Sequence, residues 1–230
     1  MLRALSALFK EYGWRDAPLY AAERVLARAT NGRIRLIKYY FVAQPVPSGP
    51  LLKKGRGANI EIRDIGPGDP SIAVMPRPAD VIGMRFSQGA QCLGAFLDGT
   101  LIGFIWLLVG PYQEDEVRAR FEPLPVRRAA WDFDVYVDAR KRMSFALARL
   151  WDGANERLRS SGVEWSISRI SAFNRASIAA HSRLGARVLG SAIFIQGGRW
   201  QAMASTVAPY LHLSRRPQAF PVIGLTAVSK

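Results

Sequence analysis

Residues 174–186 read NRASIAAHSRLGA and follow the strand-like run VEWSISRI at 163–170. An asparagine side chain accepts hydrogen bonds from the free N–H groups of a first helical turn. A glycine tolerates the left-handed conformation that ends a helix. The segment therefore predicts a short helix over 174–184, which begins at Asn174 and ends before Gly185.

One stripe of this predicted helix is polar. Asn174, Ser177 and His181 follow one another at helical spacing and therefore share a face. Such a face is unusual in a core, where apolar side chains are expected. An ordinary capped helix with one inward histidine would show the same pattern, so the neighbouring elements have to separate the two interpretations.

The composition indicates a folded protein. The chain has 230 residues, of which 49% are hydrophobic, enough for one large domain or for one domain with an extension. Cys92 is the only cysteine, which excludes an intrachain disulfide and a cysteine-based metal cluster. We therefore expect a reducing, cytoplasmic location and no metal. The longest apolar run, LIGFIWLLVG at 101–110, is about half as long as a membrane-spanning helix, so no transmembrane segment is expected.

The net charge of +14 is unevenly distributed. Residues 1–58 contain 11 Lys or Arg against 3 Asp or Glu, and residues 139–230 contain 14 against 3. Such positive fields attract phosphates, anionic lipid and nucleic acid. A positive charge that serves only solubility would give the same composition. No helix-turn-helix or RNA-binding signature accompanies the charge, so we expect no nucleic-acid partner. An acidic partner, or peripheral association with the inner, anionic face of a membrane, is the expectation instead.

Three parts are predicted along the chain. Helices at about 2–12 and 17–30 and the strand IRLIKYYFVAQPV form a basic N-terminal extension over 1–58, which closes with a connector rich in proline and glycine. Residues 59–205 form the main domain, and 206–230 a C-terminal tail.

The main domain mixes strands and helices. Apolar runs on either side of Asp98-Gly99 predict a hairpin with a type I′ turn, and a second hairpin closes near residue 197. Between them lie two strands and two helices, the first helix over about 144–160, while the charged segment 111–128 is predicted as a loop or short helix. This order predicts an α/β (α+β) fold with a central, mostly antiparallel mixed sheet flanked by helices.

The strand WDFDVYVD at 131–138 and the turn that follows it form a candidate anion site. Strict alternation puts Asp132 and Asp134 together on one polar face. A strand-to-helix turn presents backbone N–H groups and the positive end of the helix dipole. Basic side chains in the turn would add charge-assisted bonds to phosphate, or would only decorate a solvated helix start. They are Arg140, Lys141 and Arg142.

These two motifs together resemble those of the GNAT superfamily of acyl-coenzyme A (CoA) dependent N-acyltransferases, over roughly residues 59–205. The helix motif of that family has an asparagine, a small residue three positions on, an aromatic hydroxyl seven positions on, and a glycine at its end. In this chain those positions hold Asn174, Ser177, His181 and Gly185.

The phosphate-binding turn of the family has the pattern Arg/Gln-x-x-Gly-x-Gly/Ala. Here Lys141 takes the arginine position and Ser144 and Ala146 take the glycine positions, whereas Arg142 fits only after a shift of one residue. The resemblance implies acetyl-CoA or another acyl-CoA as co-substrate. The residues that it implies for coenzyme binding are Val135, Val137, Arg140, Lys141, Arg142, Ser144, Ala146, Asn174 and Ser177.

The resemblance also implies direct transfer, in which a neutral amine attacks the thioester in a ternary complex. Backbone N–H groups freed near Val135 to Val137 would stabilise the developing oxyanion. The candidate general bases are Asp132 and Asp134, beside the expected thioester site, and Glu164 on the neighbouring strand. The same sequence pattern would arise if each carboxylate were only solvated or salt-bridged on the strand face, with no catalytic role.

His181 stands where the family has its general acid, usually a tyrosine that protonates the departing thiolate. Imidazole titrates near neutrality and can do this, while a hydrogen-bonded structural histidine and a coenzyme contact are the alternatives. The implied function is an N-acyltransferase, most simply an acetyltransferase, that acts on a small or carrier-bound amine. The alternatives are a catalytically inactive CoA- or anion-binding module, favoured by the missing glycines and tyrosine, and a nucleic-acid-binding protein.

Overall fold

Helices and strands account for most of the chain. The structure, a computed structural model, describes residues 2–227. The α-helices in this part are α1 (Leu2–Ala29), α2 (Ala79–Ser87), α3 (Ala146–Ser160) and α4 (Arg175–Arg183), and short 3₁₀ helices cover Pro70–Val74 and Ala139–Lys141. The strands are β1 (Ile34–Pro45), β2 (Ile60–Ile65), β3 (Gln91–Leu97), β4 (Thr100–Leu108), β5 (Tyr112–Gln113), β6 (Arg120–Leu124), β7 (Ala129–Val137), β8 (Trp165–Ser171), β9 (Arg187–Gly197), β10 (Trp200–Ser205), β11 (Leu211–Ser214) and β12 (Val222–Thr226).

The chain divides into two compact units. Unit 1 consists of the described residues up to 44, Gln113–Glu122 and Ser168–Thr226, and unit 2 of Pro45–Tyr112, Pro123–Ile167 and Ala227. Each unit joins segments that are far apart in sequence. The predicted organisation into an extension, a main domain and a tail stays a prediction.

Unit 1 contains strands in the order β11-β10-β9-β1, followed by the end of β8. β1 runs antiparallel to β9, in register from Ile34 with Gly197 to Ala43 with Arg187. It lies between β9 and β8 and is therefore an interior strand of this sheet. α1 is interrupted at Gly13, where φ is 74° and ψ is 173°, as expected for two helices with a break between them.

Unit 2 contains the start of β8 followed by β7, β4, β3 and β2. β7 and β8 are parallel, whereas β2, β3, β4 and β7 pair antiparallel. Phe86 of helix α2 makes an edge-to-face contact with Trp106 of β4, with ring centres 4.8 Å apart. Helix α3 lies on the opposite face, because a Cβ on Gly103 of β4 would meet Leu150 at 3.2 Å. The predicted fold class, a mostly antiparallel mixed sheet flanked by helices, is confirmed.

Several local predictions can be compared with the structure directly. The hairpin is confirmed: Asp98 and Gly99 have φ of 51° and 75°, as a type I′ turn requires, and Leu97 pairs with Thr100. The prediction of a loop or short helix over 111–128 is wrong, because this segment contains β5 and β6. Within residues 2–227, no helix is both long enough and apolar enough to cross a bilayer.

Candidate functional site

Strand β7 contains a bulge at its centre. The two register pairs that flank it are Phe104 with Tyr136 and Trp106 with Phe133. One residue of β4 therefore faces two residues of β7, Asp134 and Val135, and Asp134 has a left-handed φ of 51°. A bulge leaves a residue unpaired in the hydrogen-bond ladder. The hydrogen-bond ladder is thus interrupted at Asp134 and Val135. The sequence predicted that backbone N–H groups near Val135 to Val137 would stabilise an oxyanion, so the interruption lies at the start of that predicted segment.

The bulge also changes which side chains share a face. Phe133 stacks with Trp106 and Tyr136 with Phe104, at 6.1 Å and 5.2 Å, although strict alternation would put Phe133 and Tyr136 on opposite faces. Asp134 lies on the same side as these rings, because Arg85 binds its carboxylate and also contacts Trp106 and Phe133. Asp132 precedes Phe133 in the regular part of the strand and therefore points the other way. The expectation that Asp132 and Asp134 share a face is wrong, because the extra residue resets the alternation.

The three candidate bases therefore lie in different surroundings. Asp132 is 1% exposed and accepts a hydrogen bond from Oγ of Ser166 on β8. Asp134 is held by two arginines from the segment that leads into and forms α2. Glu164 is half exposed and forms a bidentate pair with Arg128, at 2.6 Å and 2.9 Å, and these hydrogen bonds lower the pKa of Glu164.

The turn after β7 contains the 3₁₀ helix Ala139–Lys141, which Asp138 caps, and leads into α3. Asp138 accepts from the backbone N–H of Arg140 at 2.9 Å and from its guanidinium at 2.8 Å and 3.2 Å. Ser144 donates from Oγ to the Lys141 carbonyl at 2.6 Å and accepts from the N–H of Ala146 at 3.2 Å. Arg142 is exposed and Lys141 half-buried, so both cations are accessible to an anion from solvent.

A cavity of about 570 Å³ opens beside this turn, within unit 2. Its apolar wall includes Phe104 and Tyr136, the residue after the bulge, and its rim includes Asp138, Arg140 and Lys141. Cavities of this size hold small organic ligands. The strand with the bulge and the basic turn that follows it therefore border one ligand-sized space.

The connector predicted to end the extension packs on α3. Asp152 of α3 accepts hydrogen bonds from the backbone N–H groups of Leu51 and Leu52. Arg56 lies over the ring of Phe145, 5.8 Å from its centre, just before α3 begins. Arg56 is a further cation near the basic turn, and sequence reasoning missed it because nothing local indicates this long-range contact.

The predicted helix motif forms α4, in unit 1. Asn174 caps it by accepting the N–H of Ser177 at 3.0 Å, and Gly185 ends it with a φ of 82°. The carbonyl of His181 accepts from Leu184 and from Ala186, each at 3.0 Å. The helix, its N-cap and its C-terminal glycine are thus confirmed, whereas contacts of Asn174 and Ser177 with a coenzyme stay predictions.

His181 is 7% exposed and lines a cavity of about 290 Å³ in unit 1. Tyr40 and Val42 of β1 and Ile178 of α4 line the same cavity. The phenol of Tyr40 donates to Asp16 at 2.8 Å, and burial followed by this hydrogen bond raises the pKa of Tyr40 to about 12. The role of His181 as general acid stays a prediction.

A buried ionic cluster in unit 1 was not foreseen. Arg169 of β8 binds both oxygens of Glu114, at 2.7 Å and 3.2 Å, reaches Glu116 at 3.3 Å, and lies over the ring of Tyr39. Burial raises the pKa of Glu114, and the guanidinium opposes that shift. Arg169 is therefore committed to protein contacts. Two features of the sequence could have indicated these partners: the acidic run at 114–116 and the aromatic residues of β1.

Neither a protein-family model nor a curated protein matches the chain. Solved structures do resemble it. The chain is similar in structure to GNAT-family proteins. A tandem GNAT protein of clavulanic acid biosynthesis has 16% identity and a TM-score of 0.49, with 79% of this chain and 57% of that chain covered.

Two further structures are similar in the same way. A GCN5-related N-acetyltransferase from Sphaerobacter thermophilus has 16% identity and a TM-score of 0.49, covering 76% of this chain and 55% of its own. A GNAT-family protein from Novosphingobium aromaticivorans has 18% identity and a TM-score of 0.45, covering 68% and 62%. The chain thus spans less than two thirds of each of these three proteins.

Proposed function

We propose that the chain is an acyl-CoA dependent N-acyltransferase that transfers an acetyl or longer acyl group to an amine. The observation that carries this proposal is the order in which three structural features follow one another in unit 2. A bulged strand leads directly into a basic turn at the start of a helix, and both border one cavity of about 570 Å³. A broken ladder offers backbone donors to a carbonyl, and a basic helix start offers a site for a pyrophosphate.

The turn fits the phosphates of CoA in charge and in exposure. Arg142 is exposed and Lys141 half-buried, while Arg56 approaches from the connector. Arg140 contributes less, because Asp138 already neutralises it. We therefore assign the pyrophosphate to Lys141, Arg142 and Arg56, with Ser144 and Ala146 as small residues at the close approach.

The proposed reaction forms a C–N bond and breaks the C–S bond of the thioester. The amine nitrogen attacks the carbonyl carbon, its proton passes to a base, and the departing thiolate takes up a proton. Two arginines bind Asp134, and Arg128 binds Glu164, which disfavours both as the base; Asp132 is the candidate that we carry forward to a test. The backbone near Val135 would face the oxyanion, and His181 remains the candidate acid by resemblance.

A CoA-binding module without catalysis is the second candidate. The observation in its favour is that all three predicted bases already have a partner, Ser166 for Asp132 and arginines for the other two. This candidate predicts coenzyme binding without thiol release, which separates it from an enzyme.

The acceptor is proposed from charge. The exposed basic side chains of residues 6–58 favour an anionic acceptor, such as a nucleotide-sugar, a lipid headgroup or an acidic carrier protein, and a cytoplasmic or peripheral membrane location. Lys38 does not contribute to this field, because it is buried in an ion pair of 2.6 Å with Asp16. Binding to such an acceptor should weaken as salt rises to about half molar.

The test is a thiol-release assay with acetyl-CoA and long-chain acyl-CoA across a panel of amines, together with calorimetric binding of CoA. The variant Lys141→Ala/Arg142→Ala should bind CoA about tenfold more weakly and with a smaller salt slope. Arg199→Ala, in the β9–β10 hairpin, is a control for loss of a positive charge elsewhere on the chain and should bind as the wild type does. CoA binding without release from any donor would favour the module, and no binding at all would contradict both.

A further inference from the structure

Asp134 holds a conformation that its own chemistry disfavours. Non-glycine residues with positive φ are uncommon, and they persist where their surroundings fix them. In the described part of the chain, the other three lie in turns, at Asn31, Asp98 and Arg127. Asp134 lies inside a strand, at a bulge position that usually takes glycine. Something outside β7 therefore stabilises it.

Two arginines provide that stabilisation. Arg77, just before α2, donates from Nε to Oδ2 of Asp134 at 2.7 Å and from Nη2 to Oδ1. Arg85, on α2, donates from Nη1 to Oδ2. A planar guanidinium that binds both carboxylate oxygens fixes orientation as well as distance. The carboxylate is thus held from two directions.

Arg85 is itself fixed in place. It is 4% exposed, and its guanidinium carbon lies 5.5 Å from the ring centre of Trp106 and 5.3 Å from that of Phe133. Phe133 is the residue immediately before the bulge. Arg85 therefore contacts the bulge through both the ring before it and the carboxylate within it.

Arg77 makes the matching contact on the other side. Its guanidinium carbon lies 5.7 Å from the ring centre of Phe104 and 5.8 Å from that of Tyr136, the residue after the bulge. Phe104, Tyr136 and the neighbouring Pro76 line the cavity of unit 2. The two arginines thus hold the segment from Phe133 to Tyr136 where it borders this cavity.

We propose that Asp134, Arg77 and Arg85 are positioning residues that hold the β7 bulge in the geometry at which its backbone receives the acyl carbonyl. This rests on the proposed function. Asp134 acts through the backbone and is not the general base, because guanidinium donors occupy both of its oxygens. Helix α2 thereby sets the position of the backbone donors on β7.

The test uses Arg85→Met, which keeps apolar volume between Trp106 and Phe133, and Arg77→Met, a milder variant at a half-exposed position. Asp134→Asn keeps the shape and removes the charge. Asp64→Asn is the control, because Asp64 is an exposed carboxylate of unit 2 that pairs with Arg157 at 2.8 Å. Each variant is assayed for kcat/KM, for its pH profile, and for affinity toward acetyl-CoA and toward CoA.

The positioning variants should lose about tenfold to a hundredfold in kcat/KM, because small displacements of catalytic donors are costly. Affinity for acetyl-CoA should fall more than affinity for CoA, which lacks the acyl carbonyl. The pH profile should keep its shape. Loss of its acidic limb in Asp134→Asn would make Asp134 the base, and kinetics equal to those of Asp64→Asn would remove the positioning role; either result overturns the proposal.

The proposal can also be separated from the enzyme assignment. If the wild-type protein neither binds acetyl-CoA nor releases thiol, the proposed function fails, and amide hydrogen exchange then tests the arginines alone. Arg85→Met and Arg77→Met should accelerate exchange at least tenfold, relative to Asp64→Asn, at Phe133 and Tyr136, the residues paired with β4 on either side of the bulge. Equal exchange would show that the arginines do not hold the bulge, whatever the chain catalyses.

Discussion

Asp138 and Arg140 form a closed local pair at the start of the basic turn. The carboxylate caps the turn through the N–H of Arg140 at 2.9 Å and binds its guanidinium at 2.8 Å. The side-chain hydrogen bonds of Arg140, followed by its backbone hydrogen bond, lower the pKa of Asp138 to about 2. The carboxylate is therefore ionised at neutral pH and competes with any phosphate for Arg140.

Asp138→Asn should strengthen CoA binding. Asparagine still accepts the N–H of Arg140, so the cap is kept while the competing charge is removed. Calorimetry should show an affinity several-fold higher than the wild type at low salt, with a smaller gain at high salt. Asp64→Asn removes a carboxylate elsewhere in unit 2 and should bind CoA unchanged. Equal affinities in the two variants would mean that Arg140 does not face the phosphates.

The same pair predicts a pH dependence of stability. The pKa of Asp138 is about 2 in the folded chain and 3.8 without its partners, so the unfolded chain binds the proton more readily. Its contribution to stability is present above about pH 4 and is lost as the pH falls toward 2. Urea unfolding at pH 2.5 and pH 5 should show a smaller difference for Asp138→Asn than for the wild type. Carboxyl NMR of Asp138 with a midpoint near 4 would contradict this.

Gly57 allows the connector to pack closely against the start of α3, and a larger residue at this position should disturb that packing. The residue has a φ of 66°, and a Cβ would lie 2.9 Å from Cβ of Phe145. Gly57→Ala should therefore lower the free energy of unfolding by about 2–3 kcal/mol and weaken CoA binding by displacing Arg56. Gly55→Ala is the matched control: its φ is 86°, but nothing lies within 4 Å of the added atom. Its cost should be about 1 kcal/mol, with CoA binding unchanged.

Local sequence signals were sufficient to predict the helices and turns of the candidate site, but not the bulge in β7. Asn174 and Gly185 marked both ends of α4, and Asp98-Gly99 marked a hairpin, because caps and tight turns depend on a few adjacent residues. The bulge has no such signal. The alternation of polar and apolar residues continues through Asp134 in the sequence, and it therefore placed this residue on the wrong face of the strand. The arginines that stabilise its conformation lie 57 and 49 residues away in the chain, where no local pattern could indicate them.

Long-range pairing also explains the other differences. β1 reads as a strand, but its place beside β9 depends on residues more than 140 positions later, which no periodicity contains. Arg56 and Gly57 likewise look like parts of a linker until α3 packs against them. The helix motif and the basic turn were thus predictable, and their supporting contacts were not.

Arg169 and Glu114 should behave as a coupled pair. Glu114 is 6% exposed and bound through both oxygens, so Arg169→Met leaves a buried carboxylate without its main partner. The free energy of unfolding should fall by about 3–5 kcal/mol. Adding Glu114→Gln should recover part of that loss, which a double-mutant cycle in urea would measure. Additive effects of the two substitutions would show that the cluster does not act as a unit.

Asp132 is the candidate base to be tested, and its hydrogen bond from Ser166 supplies a second variant for the test. If Asp132 accepts the ammonium proton, Asp132→Asn should lower kcat by about a hundredfold or more and remove the acidic limb of the pH profile. Ser166→Ala keeps the carboxylate but removes one donor to it, so kcat should fall by about tenfold while the limb persists. Circular dichroism and urea unfolding show whether each variant is folded, since the serine alone is expected to contribute about 1–3 kcal/mol. Wild-type turnover in Asp132→Asn would place the base outside β7 and β8, because Glu164 is paired at the exposed start of β8 and Asp134 is held by Arg77 and Arg85.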